Sequence, residues 1–308
     1  MVDGLSARLQ SRGWEIRVVS IRRLIDLNRE IDHRYRQGML DEDFYKEWIS
    51  GFDSAPPKAM PQARSIILVA VPELPRRLVF SRDGQDHFVV IPPTYFETGT
   101  ETRLWRLVSR LVRPAGYRVI RAAVPKKLLA VRSGLAEYGR NNVTYISGMG
   151  SFFGLVAFYS DLPAESEQWR ETKMMERCES CFACRLRCPT GAIPTERFLL
   201  RAERCLTFHN ERPAAVPFPA WIDPSWHNCL IGCLTCQLAC PVNRGHLHRF
   251  GETTRFSGEQ TRRLLQSAPA GRLPFELVRK LKRAGLEELL EVLPRNLSVM
   301  LEQRRTVS

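Results

Sequence analysis

Apolar positions recur with two different periods along the first half of the chain. From Leu5 to Arg12 the spacing is helical, and Gly13 stops it. Trp14 to Ser20 then reads as a strand, and Ile21 to Gln37 returns to helical spacing. Ser65 to Val71 is a β-branched run of the kind a buried strand carries. Leu78 to Phe80 and His87 to Ile91 read as hairpin arms around the turn-forming pair Asp83 and Gly84. In the next segment Leu104, Leu107, Val108 and Leu111 share one helical face, while Arg103, Arg106, Arg110 and Arg113 fall on another. Tyr117 to Ala123, Val143 to Ile146 and Phe152 to Tyr159 are further strands, the last two joined by a Ser147 to Gly150 turn. The first ~165 residues thus predict an α/β fold, a mixed sheet covered by helices. The pattern changes after Asp161-Leu162-Pro163. Beyond residue 250 it predicts helices over Gly258 to Gln266, with Ser257 and Gln260 as a capping box, over Phe275 to Ala284, and over Glu287 to Leu293. Three segments result: 1–165, 166–250 and 251–308.

Composition narrows the function classes. At 44% apolar the chain can bury a core, yet no run approaches the roughly 20 apolar residues of a membrane span. The opening residues lack the apolar stretch of a secretory signal, so a cytoplasmic location is expected. A reducing compartment disfavours structural disulfides, and metal ligation becomes the leading use for nine cysteines. The net charge of +13 is concentrated: residues 103–140 carry ten basic side chains against the single acid Glu137. Such a face suits either plain solvation or contact with phosphates or another polyanion.

All nine cysteines lie between positions 178 and 240. Cys178, Cys181, Cys184 and Cys188 are separated by two, two and three residues and followed by Pro189, which matches the ferredoxin run for a 4Fe-4S cluster. In that run three thiolates hold one cube and the fourth serves a neighbour, so a second group is required. Cys233, Cys236 and Cys240 before Pro241 provide it, with Cys205 and Cys229 isolated upstream. Zinc would need only four ligands and leaves two Cys-Pro endings unexplained. Two clusters need eight ligands, and spacing leaves either Cys205 or Cys229 as the spare thiol.

Ala130-Val131-Arg132-Ser133-Gly134-Leu135, Gly139-Arg140-Asn141-Asn142, Gly150-Ser151-Phe152-Phe153 and the double cysteine motif together resemble the epoxyqueuosine reductase family, which reduces a precursor of a tRNA wobble base. The likeness extends from Pro61-Gln62-Ala63-Arg64-Ser65 to Pro294-Arg295-Asn296-Leu297. It implies a nitroreductase-like mixed-sheet domain that holds cobalamin, a ferredoxin-like double-cluster domain and a helical tail, an architecture shared with reductive dehalogenases. It also implies that Cys178, Cys181, Cys184 and Cys240 hold one cluster, that Cys188, Cys205, Cys233 and Cys236 hold the other, and that Cys229 is spare. Arg140, Asn141, Gly150, Ser151 and Phe152 would lie near the corrin, and a ferredoxin- or flavodoxin-type protein would supply electrons. The family's catalytic aspartate precedes the Ala130 to Leu135 motif, but this chain has no aspartate between Asp86 and Asp161. A tyrosine could replace it as proton donor, with Tyr117 and Tyr138 as first candidates and Tyr95 and Tyr145 nearby.

Other residues invite bland readings. Gly148, Gly150 and Gly154 fit no nucleotide fingerprint. His209, His227, His246 and His248 flank the cysteines, which already supply enough ligands. Phe218, Trp221 and Trp226 among prolines predict an ordered loop that shields a cluster from water. The cysteines therefore predict an iron–sulfur protein, and the resemblance implies an oxidoreductase passing electrons toward a corrinoid. The alternatives are a non-catalytic electron-transfer or reductive-activation protein, and an RNA-binding homologue acting on another modified tRNA.

Overall fold

The computed structural model describes residues 1–95, 98–164, 168–247, 249–266 and 273–302. Its helices are α1 (Val2–Gln10), α2 (Leu24–Arg36), α3 (Glu42–Phe44), α4 (Thr98–Val112), α5 (Lys126–Arg132), α6 (Ala183–Arg187), α7 (Leu206–Glu211), α8 (Thr235–Leu238), α9 (Gly258–Leu265), α10 (Phe275–Arg283) and α11 (Leu293–Glu302). Its strands are β1 (Glu15–Ser20), β2 (Ser65–Pro72), β3 (Arg76–Arg82), β4 (Gln85–Ile91), β5 (Val119–Arg121), β6 (Glu137–Tyr138), β7 (Thr144–Tyr145), β8 (Phe153–Ser160) and β9 (Thr253–Phe256). Packing groups them into two units: Met1–Pro72 with Thr100–Phe182 and Ile193–Ala202, and Glu73–Gly99 with Ala183–Ala192 and Glu203–Ser308. These units interleave along the chain, unlike the contiguous segments 1–165, 166–250 and 251–308 suggested by composition.

The first unit is built on a four-stranded sheet in the order β1-β2-β8-β5. Every pairing in it is antiparallel. The two central strands are apolar along their length, and all of β8 is buried, as expected of strands covered on both faces. Ile66, Leu68 and Ala70 from β2 and Leu155, Ala157 and Tyr159 from β8 enter one core with Leu129, Ala130 and Val131 of α5. The helix α5 was not foreseen from the sequence; the expected strand from Tyr117 to Ala123 shortens to β5, and Pro125 opens α5. The expected Val143 to Ile146 strand is likewise only the two-residue β7, paired with β6.

The hairpin expected around Asp83 and Gly84 forms, but in the second unit. Asp83 and Gly84 both have positive φ, 51° and 77°, the geometry of a two-residue I′ turn. Strand β3 also pairs with β9 in parallel, setting Phe80 beside Phe256 with ring centroids 4.8 Å apart. The parallel pairing of the mixed fold thus lies in this small sheet. Its core joins Leu78, Phe80, Val89 and Ile91 to Leu264, Leu277, Leu281, Leu297 and Leu301. The capping box at Ser257 and Gln260 is present. The expected helix Glu287 to Leu293 is instead a 3₁₀ turn over Glu287–Leu289, after which α11 starts afresh with Pro294 in its first turn.

Candidate iron–sulfur centre

Within the first unit the cysteine run begins in a 3₁₀ turn, Glu176–Cys178, after which Cys181 N–H bonds Cys178 O at 3.3 Å. Arg140 clamps this loop. Its Nε donates to Cys181 O at 3.0 Å, its Nη2 to the carbonyls of Cys178 and Glu179, and its guanidinium lies 4.4 Å from the Phe182 ring centroid. Neighbouring Asn142, at φ 53°, ties down the 198–200 segment: its Nδ2 donates to Phe198 O at 3.0 Å, and its Oδ1 accepts from Leu200 N–H. Asn141 is buried and donates to the Tyr145 hydroxyl at 3.0 Å. Within the Gly139 to Asn142 motif, Arg140 therefore staples the first cysteine loop and Asn142 the 198–200 segment.

Within the second unit Cys184 lies in α6 and Cys188 directly follows it, while Cys236 lies in α8, with Cys233 before that helix and Cys240 after it. Cys205 caps the start of α7. Burial pushes the Cys205 thiol up to about 11, and the sulfurs of Cys233 and Cys188 add like-charge repulsion. A thiol held neutral by burial beside other sulfurs, as Cys205 is, suits a cationic metal core, which would supply the missing counter-charge. No cysteine of the chain is in a disulfide. Among the described residues no three His, Cys, Asp or Glu side chains converge to hold a single ion.

Cys229 differs from the others in kind. It is 1% exposed, its Sγ donates to Asn228 Oδ1 at 3.1 Å, and burial holds its thiol well above the usual range. Gly232, before Cys233, has φ 66°, and a Cβ there would meet the Tyr95 ring at 2.7 Å. Arg295 and Asn296 on α11 staple the surrounding loops. Arg295 donates to the carbonyls of His209, Arg212, Pro213 and Val216, and Asn296 Nδ2 to those of Asn210 and Leu230 at 2.8 and 2.9 Å. The Phe218 ring lies against Arg295 at 4.0 Å and against His227 at 4.6 Å. His209 shares its ring nitrogen with Glu203 O at 2.9 Å, and Trp221, 43% exposed, meets His209 edge-on. These histidines are thus packed parts of the loops. His248 lies outside the described residues.

The corrin-side candidates are engaged with protein. Arg140 and Asn141 have the partners given above, Gly150 closes a turn by accepting from Ile146 N–H at 2.9 Å, and Ser151 and Phe152 are 1% and 2% exposed. As a donor set these five do not fit a corrin: their polar groups and surfaces face the chain itself. Among the tyrosines, Tyr95 hydrogen-bonds Glu211, and burial first, then Glu211, drives its phenol well up. Burial likewise raises Tyr138. Tyr117 is half-buried ahead of β5. In the sequence Lys126, at the start of α5 and inside the stretch that lacks aspartate, is one basic residue among ten; burial lowers its pKa, and Glu101 partly offsets that. Only a tertiary environment could have singled it out from the other lysines. Arg103, Arg106 and Arg110 on α4, and Arg113 in the 3₁₀ turn that follows it, are all exposed.

Residues 177–243 match the 4Fe-4S double cluster binding domain family. The chain is 29% identical to the epoxyqueuosine reductase of Salmonella typhimurium over 68% of its own length and 56% of that protein. To the enzyme of Pseudomonas aeruginosa it is 32% identical over 64% of its length and 55% of that protein. It therefore spans little more than half of these curated relatives. An epoxyqueuosine reductase structure from Bacillus subtilis, its catalytic loop swung out of the active site, superposes over 97% of this chain and 80% of that one. The TM-score is 0.66 at 19% identity. A further epoxyqueuosine reductase structure, solved with a modified tRNA stem loop, gives TM-score 0.66 at 20% identity over the same shares. The chain resembles these reductases in sequence, shares their fold and carries a double 4Fe-4S domain.

Proposed function

We propose that this chain, similar to the epoxyqueuosine reductases in sequence and fold, is a two-cluster iron–sulfur oxidoreductase acting on a substrate still to be found. The observation that carries the reading is the cysteine set: one complete ferredoxin run, a second run ending in Cys-Pro, and a double-cluster domain matched across both. Cys178, Cys181, Cys184 and Cys240 hold one cluster, and Cys188, Cys205, Cys233 and Cys236 the other. When bound, such clusters would supply one-electron transfer. The chain's own part is positional. Arg140 fixes the backbone of the first cysteine loop, and Arg295 and Asn296 fix the loops that carry Cys205 and Cys233.

Cobalamin rests on family likeness alone, since the residues assigned to it face protein partners. The missing aspartate favours a second reading, an electron-transfer or reductive-activation protein that hands electrons to a partner. The exposed arginines of α4 make tRNA or another polyanion a candidate partner, and a ferredoxin- or flavodoxin-type protein the candidate reductant. Anaerobic purification or reconstitution tests the core of the proposal. About 8 iron and about 8 sulfide per chain are expected for two clusters, and stoichiometric zinc without iron would overturn it. Corrinoid content separates the two readings. Turnover of epoxyqueuosine-containing tRNA should be negligible, since losing a positioned general acid costs about 100-fold to 10,000-fold in rate.

A further inference from the structure

Asn228 sits directly beside a cysteine assigned to the second cluster, and its amide can face only one way. Its Oδ1 accepts from the backbone N–H of Leu234 at 2.9 Å and from the Cys229 thiol at 3.1 Å. Two donors on that oxygen leave the amide nitrogen to point the other way. Nδ2 lies 3.2 Å from Cys233 Sγ, 2.8 Å from Thr235 Oγ1 and 3.2 Å from Trp226 O. Thr235 Oγ1 lies 3.4 Å from the same sulfur. Because the Thr235 oxygen already accepts from Asn228, its own hydrogen is free to turn toward Sγ once Cys233 becomes a thiolate, which can only accept. Two side-chain donors therefore converge on one sulfur.

Resting on the ligand reading above, we infer that Asn228 and Thr235 raise the reduction potential of the cluster held by Cys233, and that Cys229 serves as the hydrogen-bond donor that orients Asn228. Reduction adds negative charge to the cluster and its sulfurs, so hydrogen bonds to a ligating sulfur stabilise the reduced state more than the oxidised one. The ninth cysteine thereby gains a task that needs no metal, and the short Asn228-Cys229 step becomes part of the cluster's electrostatic setting.

The test is an anaerobic redox titration of the reconstituted full chain, followed by electron paramagnetic resonance, for wild type, Asn228→Asp and Thr235→Val. Asn228→Asp keeps an oxygen for Leu234 and Cys229 but replaces the N–H donor with an acceptor. One of the two clusters should then shift to lower potential by at least a tenfold change in its reduced-to-oxidised ratio, about 59 mV for one electron. Thr235→Val, which alters a single hydroxyl, should shift the same cluster in the same direction by less, and it keeps the inference decidable should Asn228→Asp lose iron. The other cluster should titrate as in wild type. Full iron content with unshifted potentials in these variants would overturn the inference alone. A wild-type chain lacking about 8 iron would overturn the ligand reading and this inference with it.

Discussion

Cys205 and Cys229 were indistinguishable by spacing, yet their surroundings differ. Cys205 feels the sulfurs of Cys188 and Cys233, two members of its assigned set; Cys229 also feels that of Cys233, but it spends its hydrogen on a side-chain amide. Cys229→Ser should therefore keep iron content at wild-type level, because a hydroxyl can donate to Asn228 as the thiol does. Cys205→Ser should lose about half the iron, read by colorimetric analysis after anaerobic reconstitution; the reverse pattern would favour the stretched run from Cys229 to Cys240. His227 offers a pH test. Burial, and then nearby Arg295, push it down to about 4 from an ordinary 6.5. The folded state thus rejects a proton that the unfolded chain accepts. Its contribution to stability is complete above about pH 6.5 and is lost as pH falls toward 4. The thermal midpoint of wild type should fall across that window more steeply than that of His227→Phe, each measured by circular dichroism in one buffer series.

Among elements, the short-range signals were read most accurately. Ser257 and Gln260 announced a capping box, and both of its hydrogen bonds form. Ser257→Ala should cost about 1 kcal/mol, measured by urea unfolding. The Asp83-Gly84 turn was equally legible because two consecutive positive φ values suit few residue pairs. The role of α11 was not legible, since nothing local distinguishes Asn296 from a solvent-facing asparagine. In the structure it is 1% exposed and bonds carbonyls from two distant loops. Asn296→Ala should strand both acceptors in the interior and cost about 2 to 4 kcal/mol, well beyond the loss at Ser257.

For the whole molecule, charge is the property that reaches furthest from any one site. Among the described residues no acidic side chain pairs with Arg106, Arg110 or Arg113, so the α4 face keeps its field. If it meets a polyanion, Arg106→Gln with Arg110→Gln should weaken tRNA binding and reduce the log–log salt slope by about 2, measured by fluorescence anisotropy across a salt series. Unchanged affinity and slope would leave it a solvated surface. What the sequence alone determined were features whose physics is local: the cysteine spacing that fits a ferredoxin run, the capping box, the I′ turn and the amphipathic face of α4. Which elements share a core was decided only in three dimensions. The hairpin β3-β4 joins β9 some 170 residues later rather than the β1-β2-β8-β5 sheet, because strand pairing depends on partners that bring matching apolar faces from anywhere in the chain. The same holds at the cysteines, where spacing counts the ligands but only packing sets Asn228, Thr235 and the Cys229 thiol around Cys233.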